Sequence, residues 1–315
     1  MSKFLIAAGI VIGLLGLGTY AYIETHPQEA FELALRAERD RAMLSVKSVN
    51  VDGDTWPYLD GGEGDVVLLL HGFGGDKDNW TRFGGHLTPD HRVIAPDLPG
   101  FGGNARHEDQ SYDIASQRDR LAAFVETLGL ERFHLAGNSM GGNLAAAYAH
   151  SYPEKLLSLG LLDAAGVESP VPSELAREVE ATGRVALIPR TREDYDHMVD
   201  MVFEDKPWVP PFVVEALAQR AIENADFRQK IFVEYRTNLF RLEPVLPEIQ
   251  TPTLIIWGDS DRLIHVSAAR VMDDLLPNSE LAIMEGMGHC PMIEDPRATV
   301  ELYGPFIDRH TPAGM

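Results

Sequence analysis

From about residue 46 the chain alternates short apolar runs with longer stretches of helical spacing. The runs at 46–51, 66–70, 92–96, 133–136, 157–162, 253–257 and 281–284 have the length and the Val, Leu and Ile content of strands. Several are apolar throughout, which suits strands covered on both faces. Residues 113–128 carry Ile114, Leu121, Phe124, Val125 and Leu128 on one helical stripe, with Gly129 as the stop signal. Strands joined by helical crossovers predict an α/β fold built on a mostly parallel sheet.

The alternation fails between residues 167 and 247. This interval has prolines at 170, 172, 189, 207, 210 and 211, no convincing strand, and apolar residues at helical spacing. Leu217, Ala221 and Ile222 form one such set, and Phe227, Ile231, Phe232 and Tyr235 form another. A helical insertion between two strands of a parallel sheet predicts a cap over 167–247, with the core divided into 45–166 and 248–315.

The N-terminus has a different pattern. Residues 4–23 contain no charged side chain, close to the ~20 apolar residues that span a bilayer as a helix. Tyr20 and Tyr22 sit at the edge of the run, where interfacial rings are favoured. The expectation is an uncleaved, single-pass membrane anchor. A cleaved signal peptide is the competing reading, with Thr19-Tyr20-Ala21 as a weak cleavage site. Lys3 and the free amine favour an N-terminus on the inside, which places the rest of the chain on the non-cytoplasmic side. Residues 24–44 read as a polar helical tether, because Ala30, Leu33 and Leu35 alternate with Glu29, Glu32, Arg36 and Glu38 without one clean face.

Composition removes some function classes. The formal net charge of −21 disfavours nucleic acid as a partner, since phosphate binding needs clustered Lys and Arg. Hydrophobic residues at 45% and charged residues at 24% are ordinary for a globular protein. Cys290 is the only cysteine, so no intrachain disulfide forms, and it reads as a packing residue. The sequence does not set an oligomeric state.

The candidate chemistry lies at strand ends. An apolar strand at 133–136 runs into Gly137-Asn138-Ser139-Met140-Gly141 and then a helix-forming stretch. A serine at such a strand-to-helix turn is held in a strained conformation that lifts its hydroxyl above the sheet. The Met140 N–H faces the same point at the positive end of the helix. Upstream, a buried strand ends in His71-Gly72-Phe73-Gly74-Gly75, whose backbone folds over the serine and offers the Phe73 N–H as a second oxyanion donor. His71 itself reads as structural. A serine nucleophile needs a base, and the base needs an orienting acid. Asp261 and His289 follow successive strands in the order this arrangement uses. Asp259 and Asp163 compete for the role of acid, and His265 lies near Asp261. His134 reads as a core residue. His86, His91, His107, His150, His197 and His310 read as surface residues. No HExxH, CxxC or GxxxxGK pattern is present, and neither a metal nor an organic cofactor is expected.

HGFGG at 71–75, APDLPGFG at 95–102, GNSMGG at 137–142, IIWGDSD at 255–261 and GMGH at 286–289 together resemble the α/β-hydrolase family. The resemblance implies an eight-stranded, mostly parallel sheet with the cap inserted after strand 6. Serine at 139 argues against the related haloalkane dehalogenases and epoxide hydrolases, which use Asp there. GNSMGGNLAAAYAHSYPEK, the run at 163–166 and residues 224–234 are similar to membrane-anchored monoacylglycerol lipases and related bacterial lipases. That similarity implies an acyl ester or lipid substrate, with monoacylglycerol foremost, cleaved through an acyl-enzyme on Ser139. Phe73, Met140, Phe212 and Phe232 are the expected substrate-binding residues. Two alternatives remain. One is a carbon–carbon bond hydrolase of aromatic ring-cleavage products. Such enzymes also resemble GNSMGG, but many have Trp after the catalytic His where this chain has Cys290. They use a basic cap residue, which leaves Arg177, Arg184, Arg190, Arg192 and Arg236 as candidates. The other is a non-enzymatic scaffold, although Ser139, Asp261 and His289 are all present.

Overall fold

The chain was analysed as a computed structural model that describes residues 22–23 and 25–312. Its strands are β1 (Ser45–Val51), β2 (Asp54–Gly61), β3 (Val66–Leu70), β4 (Arg92–Pro96), β5 (Phe133–Asn138), β6 (Leu156–Leu162), β7 (Thr253–Gly258) and β8 (Ser279–Met284). They form one eight-stranded sheet in the order β1-β2-β4-β3-β5-β6-β7-β8. The pairs β1/β2 and β2/β4 are antiparallel. From β4 through β8 every pair is parallel. β3, β5, β6 and β7 lie in the middle of this order, and β5, β6 and β7 are buried along their whole length. Each sheet face carries its own apolar layer. One gathers around Leu68, Leu135, Leu144 and Trp257. The other gathers around Leu69, Ala136, Phe83 and Tyr303.

β2 is the strand that the apolar pattern did not reveal. Its sequence, DTWPYLDG, includes a proline and two aspartates, which count against a strand when read alone. The preceding turn explains it. Asp52 and Gly53 both take positive φ, 51° and 95°, the conformation of a two-residue hairpin turn. Pairing with β1 then fixes the register, and Trp56, Tyr58 and Leu59 become buried.

The helices are α1 (Pro27–Arg41), α2 (Thr81–Leu87), α3 (Ile114–Thr127), α4 (Met140–Ser151), α5 (Glu174–Thr182), α6 (Arg192–Val202), α7 (Pro211–Glu223), α8 (Ala225–Thr237), α9 (Ser267–Leu275), α10 (Pro291–Glu294) and α11 (Pro296–His310). α3 starts where Asp113 caps it, its side chain accepting from the Ser116 N–H at 2.7 Å, and Gly129 follows its end with φ +66°. α5 to α8 fill the interval between β6 and β7. His91, expected at the surface, is buried beside His134, with ring centroids 6.4 Å apart, and its Nε2 lies 3.3 Å from Asp308.

The expected anchor at 4–23 lies outside the described residues, save Tyr22 and Ile23. Among the described residues, no helix is long and apolar enough to cross a membrane. The segment read as a tether contains α1, and α1 is docked. Phe31 is fully buried against Val213 and Ala216 of α7. The Arg220 guanidinium covers the Phe31 ring at 4.3 Å and bonds Glu32 at 2.7 Å. Towards the other end, Arg39 makes a bidentate bond to Asp78, 2.6 and 2.7 Å, just beyond the 71–75 loop. α1 therefore touches both cap and core. Phe31→Ala is expected to lower stability by about 3 kcal/mol, the usual cost of emptying a buried aromatic site. Urea unfolding checks this, and an unchanged midpoint would show that α1 adds nothing to the fold.

Candidate active site

The apolar β5 ends at Asn138, and the next residue enters a forced turn. Ser139 has φ 56° and ψ −120°, a conformation costly for any residue with a Cβ. Two glycines make the turn possible. A Cβ on Gly137 would lie 2.2 Å from the Gly141 carbonyl oxygen, and one on Gly141 would lie 2.3 Å from that of Leu70. Backbone bonds hold the strained residue. Its N–H donates to Leu162 O at 3.0 Å, and its carbonyl accepts from Asn143 and Ala165 N–H at 3.1 and 2.9 Å. Met140 then opens α4, so its N–H belongs to the first turn, which has no intrahelical acceptor.

The loop after β3 closes over this turn. A Cβ added to Gly72 would lie 3.1 Å from the Ser139 Cβ. His71 is fully buried and braces the loop. Its Nε2 accepts from the Leu98 N–H at 3.0 Å, which leaves the proton on Nδ1 to be donated to Gly72 O at 2.8 Å. Burial lowers its pKa and keeps the ring neutral. Its role is structural, as expected. The Phe73 N–H donates to no group among the described residues. The Phe73 ring meets Phe101 and Phe232 edge to face, both at 5.6 Å.

The expected acid and base, Asp261 and His289, lie on the loops after β7 and β8. His289 Nδ1 lies 2.8 Å from Asp261 Oδ2. The other Asp261 oxygen accepts from the Leu263 and Ile264 N–H groups at 2.8 and 3.0 Å. Both residues are buried. Asp259, the competing acid, is exposed and accepts from the Gly286 N–H at 2.8 Å instead. His265 Nδ1 bonds Ser267 at 3.0 Å. Asp163, the other competitor, is fully buried beside the pair, and one ligand atom each of Asp163, Asp261 and His289 lie within 4.8 Å of one another.

Several residues the sequence did not single out hold these groups in place. The Asn138 amide donates to Leu162 O at 3.2 Å and to the His289 carbonyl at 2.9 Å, tying the serine turn to the base loop. Cys290 Sγ packs 3.7 Å from the same side chain, and burial raises its thiol pKa far above the usual value, which makes it inert. The cap holds the base loop as well. The His289 N–H donates to Val202 O at the end of α6, 2.8 Å. Glu294 accepts from the Gly288 N–H at 2.9 Å on one oxygen, and on the other from Glu204 and Asp205 N–H at 3.1 and 2.9 Å. From α8, Arg228 donates to Gly74 O at 2.8 Å, next to Phe73.

Of the four expected substrate-binding residues, Met140 follows Ser139 at the start of α4, and Phe73 and Phe232 meet ring to ring at 5.6 Å. Phe212 packs instead with Phe31, Val213 and Ala216 where α7 meets α1. Its place on the α7 face that covers α1 takes it away from the Phe73 wall. The five cap arginines are all exposed. Arg184, Arg190 and Arg192 are spent on surface ion pairs with Asp194, Asp226 and Asp196.

Residues 65–296 match the family described as the α/β hydrolase fold. The chain is 34% identical over 278 residues to Lipase 1 of Psychrobacter immobilis, covering 86% of this chain and 87% of that protein. It is 32% identical over 251 residues to the monoacylglycerol lipase ABHD6 of Rattus norvegicus, covering 76% and 74%. The chain belongs to the α/β hydrolase family. Among solved members, the crystal structure of a membrane phospholipase A, described as a bacterial virulence factor, superposes with a TM-score of 0.89 at 42% identity, covering 98% of this chain and 99% of that one. In this member of the family, Asn138→Ala is expected to lower kcat about tenfold on a soluble ester and to cost about 1–2 kcal/mol of stability, since one buried amide makes both bonds. An unchanged kcat would show that His289 is positioned without it.

Proposed function

We propose that this α/β hydrolase, an enzyme of the lipase/esterase type, hydrolyses lipid esters through an acyl-enzyme on Ser139, with monoacylglycerol as its foremost substrate. The observation that carries the reading is the buried 2.8 Å contact between His289 and Asp261 beside a serine held at positive φ. Asp261 is acceptor-only when ionised, so it fixes the His289 proton on Nδ1 and leaves Nε2 free to act as a base. Nε2 takes the Ser139 proton as the oxygen attacks the ester carbonyl. The Phe73 and Met140 N–H groups hold the oxyanion, each worth ~3 kcal/mol in a water-excluded site. His289 then gives its proton to the leaving alcohol and activates the water that releases the acid.

The substrate class draws on two supports. Phe73, Phe101 and Phe232 form an aromatic wall beside the serine turn, and an acyl chain gains by leaving water against such a surface. The names of the relatives, a lipase and a monoacylglycerol lipase, point the same way. The anchor assigned to residues 4–23, with the enzyme on the non-cytoplasmic side, would hold the site near an amphipathic substrate. The five expected cap arginines are all exposed and give the carbon–carbon hydrolase reading no support. Arg228 of α8, which donates to Gly74 O at 2.8 Å, is nevertheless a basic cap residue next to Phe73, and it keeps that reading as an outcome of the test.

The test is turnover of monoacylglycerols of several chain lengths, short nitrophenyl esters and a ring-cleavage dienone by the full chain and its Ser139→Ala variant. Monoacylglycerols are expected to turn over best, and the variant to lose at least about a thousandfold in kcat. Preference for short esters would remove the lipid assignment. Preference for the dienone would replace ester hydrolysis, and activity surviving Ser139→Ala would move the catalytic centre.

A further inference from the structure

Asp163 is a buried carboxyl that the ester-hydrolysis mechanism does not use. It follows β6 at φ +45°, one of four described non-glycine residues with positive φ. Its N–H donates to Ile256 O at 2.9 Å, and two residues on the Ala165 N–H donates to Ser139 O at 2.9 Å. The turn at 163–165 is thus fastened to the serine on one side and to β7 on the other. Asp163 Oδ1 accepts from the Gly258 N–H at 2.9 Å. Its Oδ2 is buried and meets no donor among the described residues. Its neighbour is Asp261, whose carboxylate is itself acceptor-only.

Two ionised carboxylates in contact, both out of water, repel strongly and leave lone pairs unpaired. One proton removes both costs. It makes one oxygen a donor and the other its acceptor. Asp261 is the member that must stay charged, because it already accepts two backbone N–H bonds and the His289 Nδ1–H. Asp163 accepts a single N–H bond, so the proton belongs on Asp163. We propose that Asp163 is a neutral positioning residue that donates the proton on Oδ2 to Asp261, so that the two acids present one fixed negative charge to His289.

The surroundings agree. The titratable groups facing Asp163 are Asp261 from the loop after β7, His289 and Cys290 from the loop after β8, and Glu294 from α10. Among the described residues, no Lys or Arg forms an ion pair with it. Burial, then the negative charge of Asp261, raise its pKa well above the usual carboxylate range. The arrangement gives Asp261 a further hydrogen bond and leaves one negative charge, not two, facing His289.

The inference rests on Asp261 and His289 being the acid and base, and its test separates the two ideas. Asp163→Asn replaces a neutral donor with a neutral donor of the same shape. It is expected to keep kcat within about threefold and to leave the acid limb of the pH profile of kcat/KM in place. An ionised Asp163 would give a different result. Its removal would take a negative charge from beside the base and move that limb down. Asp163→Ala loses the donor and the Gly258 acceptor together and is expected to lose at least about tenfold in kcat. An Asn variant as impaired as the Ala variant, or a limb shifted downward, overturns the proposal. Infrared difference spectra of the full chain at about pH 8 give a readout independent of turnover. At that pH Asp76, raised by burial to about 6, is ionised. The carbonyl stretch of a neutral carboxylic acid is expected in the parent and absent from Asp163→Asn, and identical spectra overturn the proposal. Failure of the triad reading appears elsewhere, as turnover that survives Ser139→Ala, while the infrared band reports the Asp163 proton whichever residues do the chemistry.

Discussion

The structure depends on one close approach, that of the serine turn to the sheet and helix around it. Ser139 holds φ 56° between two glycines that the crossing requires, since the Gly141 carbonyl occupies the space a side chain at 137 would need, and Leu70 O the space of one at 141. Strain of ~1–3 kcal/mol persists in a fold only where the surroundings over-determine it. Here Leu162, Asn143 and Ala165 each bond the Ser139 backbone. The loops that carry Phe73, Asp163, Asp261 and His289 all converge on this point, because the parallel strands β3, β6, β7 and β8 deliver their C-terminal ends to the same edge as β5.

Around that centre the chain is braced from outside the sheet. Val202 O and the Glu294 carboxylate fix the base loop to the end of α6, and Arg262, next to the acid, donates to Asp200 O and Phe203 O at 2.7 and 3.2 Å. Arg228 pins Gly74 from α8. α6 and α8, between β6 and β7, are therefore fastened to the loops that carry Asp261, His289 and Phe73 alike. α1 adds a further tie through Phe31 on the cap and Arg39 on Asp78.

Electrostatics gives the site its asymmetry. In a chain with a formal charge of −21, a buried region can hold only those carboxylates that find donors. Asp261 finds two backbone N–H groups and a histidine, whereas Asp163 finds one N–H. That difference separates the two acids that the motifs alone could not rank by environment.

The sequence by itself determined the elements whose local signals are strong. Fully buried strands announce themselves as apolar runs, the capped helix at 114–127 by its stripe and its stop, and the serine turn by glycines that only a tight crossing requires. It also ordered the site residues, since Ser139, Asp261 and His289 follow strands whose ends share one edge of a parallel sheet. Tertiary structure decided what depends on partners distant in the chain. β2 exists because a hairpin turn delivers it to β1 despite Pro57. Phe212 turned to α1 rather than to Phe73, because helical spacing marks a face as apolar without naming what covers it. α1 docks through Phe31, in a stretch whose apolar residues Ala30, Leu33 and Leu35 mark no single face. The roles of Asn138, Arg228 and Glu294 come from hydrogen bonds across 151, 154 and 90 residues of chain, a separation at which no local pattern carries information.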